Sequence, residues 1–132
     1  MLVMGNIKGH EVVILVDGGS THNFVHDRLA YFLYLATQLI PRLAILVGND
    51  TEIACDKVCH DVAVLIKGHN FNLDLYVMAL GGTDLVQGVA WLKLLGPFTT
   101  NYSLLTMSFV YHRQPITIQD EINPDPSEIT HG

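Results

Sequence analysis

Asp17 is the residue whose type and setting most invite chemistry. It ends an otherwise apolar run, Val12-Val13-Ile14-Leu15-Val16, and is followed by Gly18, Gly19, Ser20 and Thr21. A carboxylate in such a place is pulled two ways: burial disfavours its charged form, while hydrogen bonds donated to it favour that form. Gly18 and Gly19 allow a sharp backbone turn that points N–H groups at the carboxylate, and Ser20 adds a nearby hydroxyl. A carboxyl group held this way can pass a proton to or from a reacting atom. The same residues also describe a turn aspartate that caps the following helix, and at this level both readings stay open.

Two other groupings could carry chemistry. His22 and His26 have i,i+4 spacing with Asp27 adjacent, which is a metal-binding geometry on a helix, but no His-Glu-x-x-His pattern accompanies them. Cys55-x-x-x-Cys59-His60 lacks the spacing of a zinc knuckle. Four apart on one strand, the two cysteines would share a face roughly 13 Å apart, too far for a disulfide, and they read as free thiols. Trp91 reads as a helix core residue. No metal and no organic cofactor is implied.

The elements that must position Asp17 follow from the apolar pattern. Residues 11–16 lack alternation and predict a strand buried on both faces. Ser20, Thr21 and Asn23 are N-cap candidates for a helix whose apolar side is Phe24, Leu29, Phe32, Leu33 and Leu35, a unit that Pro41 closes. Two short strands, 44–47 and 51–55, flank Gly48-Asn49-Asp50, which favour a tight hairpin turn. Further strands are expected at 62–66, 71–78 and 85–86, with turns at 67–70 and 81–82. A short helix fits 89–95, stopped by Gly96-Pro97. Residues 105–111 alternate, and 115–118 make a last strand that tolerates Pro115 at its first position. Seven or eight short strands and two helices make a mostly β domain. Ile7-Lys8-Gly9-His10 and Ile66-Lys67-Gly68-His69 echo one another, each ahead of a strand, a Gly-Gly turn and a helix, which hints at a duplicated plan.

Composition bounds the rest. With 132 residues the chain holds one domain and is too short for a two-lobed enzyme. Charged residues make up only 15% and apolar ones 49%, which excludes a disordered chain. A net charge of -6 argues against nucleic acid as a partner, since phosphate binding needs clustered Lys and Arg. Asp120, Glu121, Asp125 and Glu128 all lie beyond residue 118, where there is no Lys or Arg. Setting them aside leaves nine acidic against seven basic residues, about -2. With Pro124, Pro126 and Gly132, residues 119–132 read as an acidic tail or linker after a domain of residues 1–118. The longest apolar run, 29–36, is far short of a membrane span, and the N-terminus lacks a signal-peptide pattern, so an intracellular protein without a membrane partner is expected.

Taken together, these motifs carry a resemblance. Val16-Asp17-Gly18-Gly19-Ser20-Thr21-His22-Asn23-Phe24-Val25 is similar to the catalytic motif of retropepsin-like aspartic proteases, especially those in Ty3/gypsy-type long-terminal-repeat retrotransposons of plants. The likeness continues through Val47-Gly48-Asn49, where the family has its flap, and through Asp84-Leu85-Val86-Gln87-Gly88-Val89-Ala90-Trp91-Leu92, its apolar-apolar-Gly segment and Trp-Leu helix. It runs on through Leu95-Gly96-Pro97 and Leu105-Thr106-Met107-Ser108-Phe109, covering residues 3 to 118 in order.

The resemblance implies a closed β-barrel subunit with one or two short helices, active as a homodimer that cleaves a polyprotein inside the cell or within a retrotransposon particle. It makes Asp17 the catalytic residue, with Gly18, Gly19, Ser20 and Thr21 as its loop. The flap would be residues 45–54 around Val47, Gly48, Asn49 and Asp50, and Val86, Gln87 and Gly88 the apolar-Gly segment. Such an enzyme needs two carboxylates sharing one proton, so a second copy must supply the second Asp17. Substrate would lie extended in the cleft between subunits. Three departures accompany the match. Gly18 replaces the family's Ser or Thr, whose hydroxyl bonds across the two-fold axis; Gln87 replaces Leu; and Asn101 stands where many relatives have Asp. The alternative they raise is an inactive or weakened module of the same fold, acting in dimerisation or peptide binding.

Overall fold

The computed structural model describes residues 1–47, 51–78, 83–101 and 103–120. Two antiparallel hairpins start its two halves. The first joins β1 (Leu2–Ile7) to β2 (His10–Val16), and the second joins β5 (Thr51–Ile66) to β6 (His69–Met78). Their turns are the two echoed segments. Lys8 and Gly9 sit at φ 53° and 78°, Lys67 and Gly68 at 54° and 76°. Positive φ at both central residues defines the hairpin turn whose twist matches the flanking strands, with glycine serving at the second position.

A short strand and a helix follow each hairpin. β3 (Phe24–His26) leads into α1 (Asp27–Phe32), and β7 (Leu85–Gln87) leads, through Gly88, into α2 (Val89–Leu95). The halves interlock by exchanging partners: β2 runs parallel to β7, β6 runs parallel to β3, and β3 and β7 meet antiparallel. Swapping β2 with β6 and β3 with β7 leaves that set of pairings unchanged, so the duplicated plan hinted at by the echo is a property of the sheet. The order β1-β2-β7-β3-β6-β5 closes into a six-stranded barrel where Asn6 pairs with Leu65, and β4 (Gln38–Val47) is added outside β5. A separate three-stranded sheet is built from β8 (Phe98–Asn101), β9 (Thr106–Tyr111) and β10 (Gln114–Gln119). The result is a mostly β fold with two short helices.

Several expectations need correction. The helix starts later than predicted: its N-cap is His26, whose Nδ1 accepts the Arg28 N–H at 3.1 Å, because Phe24 and Val25 are drawn into the gap between β6 and β7. Pro41 does not close the unit but lies within β4, between Leu39 and Leu43, where the register shifts and a missing N–H is tolerated. The strands expected at 51–55 and 62–66 are one strand, β5, bent at a second register shift between Cys59 and Val62. Along β2 only Val12 and Ile14 are fully buried, so one face points into the core and the other is half-open. Strands β1, β3 and β8 were not predicted, each too short or too weakly patterned to stand out. Helix α2 has the predicted bounds.

The larger core gathers Ile7, Val12, Ile14, Phe71, Leu85, Trp91, Phe109 and Ile118 between the barrel, α2 and the small sheet. Trp91 is fully buried, edge-on to Phe71 at 5.8 Å and to Phe109 at 6.1 Å. A second cluster lies on the other side of the sheet, formed by Phe24, Ile45, Cys55, Met78 and Val86 with Leu15, Leu43, Ile53 and Tyr76 packed against it. Among the described residues no helix is long and apolar enough to cross a membrane.

Candidate active site

Two backbone hydrogen bonds set the Asp17 turn. Asp17 N–H donates to Gln87 O at 3.0 Å, which extends the β2–β7 pairing by one residue, and Ser20 N–H donates to Asp17 O at 3.2 Å, closing the turn. The carboxylate is then held by its own loop: Gly19 N–H donates to Oδ1 at 2.8 Å and the Ser20 hydroxyl donates to Oδ2 at 3.3 Å. Gly18 and Gly19 achieve this without left-handed dihedrals, so the expected conformational use of these glycines is not what shapes the turn. Asp17 is half-buried, Gly18 and Gly19 are exposed, and Ser20 is buried. A side chain at Gly18 would meet only Leu92 Cδ1, at an ordinary 3.8 Å.

The loop is bolted to the start of α2. Val89 N–H donates to Ser20 O at 2.8 Å, and Gly88 N–H donates to the Oδ1 of buried Asn23 at 2.9 Å. A Cβ on Gly88 would run into the carbonyl oxygens of Ser20 and His22. Glycine at 88 is therefore required by close backbone approach, and the polar groups of residues 20–23 bind this junction rather than the helix they were expected to cap. The Thr21 hydroxyl lies 2.9 Å from His22 Nδ1, and the His22 ring sits edge-on to Tyr76 at 4.9 Å.

Gln87 is different. Its side chain is completely buried, and neither Oε1 nor Nε2 finds a hydrogen bond among the described residues. Each buried polar atom without a partner costs about 1–3 kcal/mol. Trp91 Nε1 shares that condition.

Beside the carboxylate, the second apolar cluster forms a wall. Leu15 pairs with Val86 and Val86 with Phe24, a row of apolar side chains in which Leu15 and Val86 stand two positions before Asp17 and Gly88. Ile45 and Ile53 bring in the β4–β5 hairpin, whose last described pair is Val47 with Thr51. Gly48, Asn49 and Asp50, the centre of the expected flap, lie outside the described residues, as do Gly81 and Gly82. Phe24, Ile45 and Val86 are buried within it, while Leu15 and Ile53 stay partly exposed. These wall residues were not singled out from the sequence; their only signal was parity along strands whose partners were unknown.

The competing metal readings do not assemble. His22 is in the loop and His26 caps α1, with its Nδ1 2.9 Å from Asp27 Oδ1, so the two histidines do not share a helix face. Among the described residues no three His, Cys, Asp or Glu side chains stand where they could hold a metal ion. Cys55 and Cys59 are free and buried. The Cys55 thiol has Lys57 O at 3.1 Å and Val77 O at 3.3 Å as acceptors, and burial pushes the Cys59 thiol above its ordinary value.

Comparisons with known proteins bear on the family and the fold. The profile of the family described as "Retroviral aspartyl protease" matches residues 2–120. The retroviral protease-like domain of Ddi1 from Leishmania major has a similar structure, with a TM-score of 0.68 over 92% of this chain and 95% of that one, at 16% sequence identity. At that identity the likeness speaks for the fold. No curated protein matches the sequence.

Proposed function

Since the chain belongs to the retroviral aspartyl protease family, we propose that it is an aspartic endopeptidase whose water-activating pair is Asp17 from each of two copies. The observation that carries this reading is the geometry of Asp17: half-buried, accepting from Gly19 N–H and the Ser20 hydroxyl, and flanked by an apolar wall. One carboxylate of the pair takes a proton from water while the other donates to the scissile carbonyl, after which the roles reverse as the amine leaves. Because the two titrate as a unit, their protonation belongs to the pair. Ser20 and Gly19 orient each carboxylate, and Thr21 completes the loop.

Val86 and Gly88 form the floor beside the pair, with Gln87 between them. The hairpin of residues 45–54, including Val47, Gly48, Asn49 and Asp50, closes over an extended peptide and excludes water. The substrate in this reading is a retrotransposon polyprotein of the plant Ty3/gypsy type, processed inside the cell or in the element's particle. Residues 1–118 make the protease domain and 119–132 an acidic, proline-containing tail or linker.

A second reading, a peptide-binding or dimerisation module without turnover, is favoured by one specific observation. Gln87 buries an unpartnered amide next to Asp17, and Gly18 offers no hydroxyl to a partner loop. The experiment that separates the two is cleavage of a polyprotein-derived peptide. Turnover should disappear in Asp17→Asn and under a pepstatin-type inhibitor, and cleavage that survives both rejects the protease. Peptide binding without cleavage in the unsubstituted dimer selects the module.

A further inference from the structure

His22 is the residue of the Asp17 loop to which the proposed mechanism gives no task, yet its backbone is fixed as firmly as that of Asp17. On one side of it Ser20 O accepts Val89 N–H at 2.8 Å; on the other, Asn23 O accepts Tyr76 N–H at 3.0 Å and Asn23 Oδ1 accepts Gly88 N–H at 2.9 Å. The carbonyl oxygen of His22 lies against Gly88, where an added Cβ would strike it. Asp17 N–H is bonded to Gln87 O. Both residues therefore touch the one peptide unit that joins Gln87 to Gly88, which puts their backbones on the order of 10 Å apart. At roughly 3.3 Å per residue, that is about three residues of an extended chain.

The His22 side chain is placed for contact. It is half-buried, with its ring edge-on to the half-buried Tyr76 at 4.9 Å. Tyr76 belongs to the rim of the second apolar cluster, together with Leu15, Leu43 and Ile53, all of them partly exposed. Thr21 Oγ1 lies 2.9 Å from His22 Nδ1. With that hydroxyl donating, the ring hydrogen sits on Nε2, since the bond made by one ring nitrogen sets the state of the other. Among the described residues no acceptor meets Nε2 and no carboxylate pairs with the ring.

A donor set at the edge of an apolar rim discriminates sharply, because a substrate side chain without an acceptor leaves it desolvated and unpaired. On the reading of Asp17 as the reacting carboxylate, from which this step follows, we propose that His22, backed by Tyr76, contacts the substrate side chain about two to four residues from the scissile bond and selects one bearing an acceptor oxygen, a carboxylate or a carboxamide. The second copy places the same contact on the other side of the bond. His22 sets specificity in this way without touching the reacting atoms, and Asp17 supplies the chemistry.

The test reads a ratio within each variant of the full chain, so that a general loss of activity cancels. Polyprotein-derived peptides carry Glu, Gln, Lys or Leu in turn at each position flanking the scissile bond. They are compared by kcat/KM on the unsubstituted chain and by dissociation constant on Asp17→Asn, which needs no turnover. At one position on a given side, Glu or Gln should exceed Leu by about 3–10-fold in both readouts. Glu ahead of Gln marks a charge pair as the source of the preference, and equal values mark a neutral hydrogen bond. His22→Leu should bring the ratio to about one, and His22→Glu should put Lys ahead of Glu, whereas a residue that only props up the loop would weaken all four peptides together. A preference absent from both readouts, or kept unchanged in His22→Leu and His22→Glu, overturns the proposal. Binding that keeps the preference while the unsubstituted chain cleaves nothing retains the role of His22 and overturns the protease reading instead.

Discussion

The two halves of the barrel are built on one plan and treat their acidic residues in opposite ways. In the first half, β2 ends at Asp17, whose carboxylate is held, among the described residues, by its own turn, from Gly19 and Ser20. In the second half, the residue ahead of β7 is Asp84, whose Oδ2 accepts the Val13 N–H of β2 at 2.9 Å and whose carbonyl accepts His26 N–H at 2.9 Å. Asn23, ahead of β3, has the matching structural duty toward Gly88. The scaffold therefore provides one carboxylate that is free to act and a second that ties the halves together. A mechanism needing two reactive carboxylates has to import the other, which is why a second copy is part of the proposed function.

The largest expected effect breaks that contrast directly. Asp17→Asn should lower peptide cleavage by roughly 10²–10⁴-fold or more, while Asp84→Asn, which keeps an oxygen for Val13 N–H, should leave cleavage within a few-fold. Equal losses in a peptide assay would show that the halves are not differentiated as described. Gly88→Ala comes next, because backbone carbonyls rather than flexible side-chain ends stand in the way of the new Cβ. Urea unfolding should show a loss of about 3 kcal/mol, and a variant as stable as the parent would remove the argument that this junction is locked.

Gln87→Leu should act in the opposite direction. Replacing a buried amide that bonds to nothing with an apolar side chain of similar length should raise the unfolding free energy by about 1–2 kcal/mol. A decrease would mean that the amide has a role the monomer does not display. Smallest is Gly18→Ser, where the space already exists. A hydroxyl that bonds the partner loop should tighten dimerisation by about 1 kcal/mol per subunit, and sedimentation equilibrium giving an unchanged dissociation constant would count against that bond.

Legibility in the sequence differed from element to element for identifiable reasons. Helix α2 was readable to its bounds because Gly96-Pro97 stops it and Val89, Trp91, Leu92 and Leu95 mark its apolar side. The start of α1 was not, because Ser20, Thr21 and Asn23 look like caps while in the fold Ser20 serves Asp17 and Asn23 serves the Gly88 junction, three and 65 residues away. Pro41 looked like a terminator because the bulge that accommodates it is a property of two strands. Asp17 itself stood out, since a carboxylate closing an apolar run is a local signal.

By itself the sequence determined the β-rich class, the turn at Lys67-Gly68, helix α2 and the candidacy of Asp17, all of which rest on side-chain type, turn chemistry and periodicity over a few neighbours. Tertiary structure alone decided that β2 and β6 exchange partners with β7 and β3, that Asp84 is tied up while Asp17 is not, and that Gln87 is buried without a bond. Those outcomes depend on which backbone groups meet across the barrel. Such meetings are set by the simultaneous packing of distant strands, and no short stretch of residues encodes them.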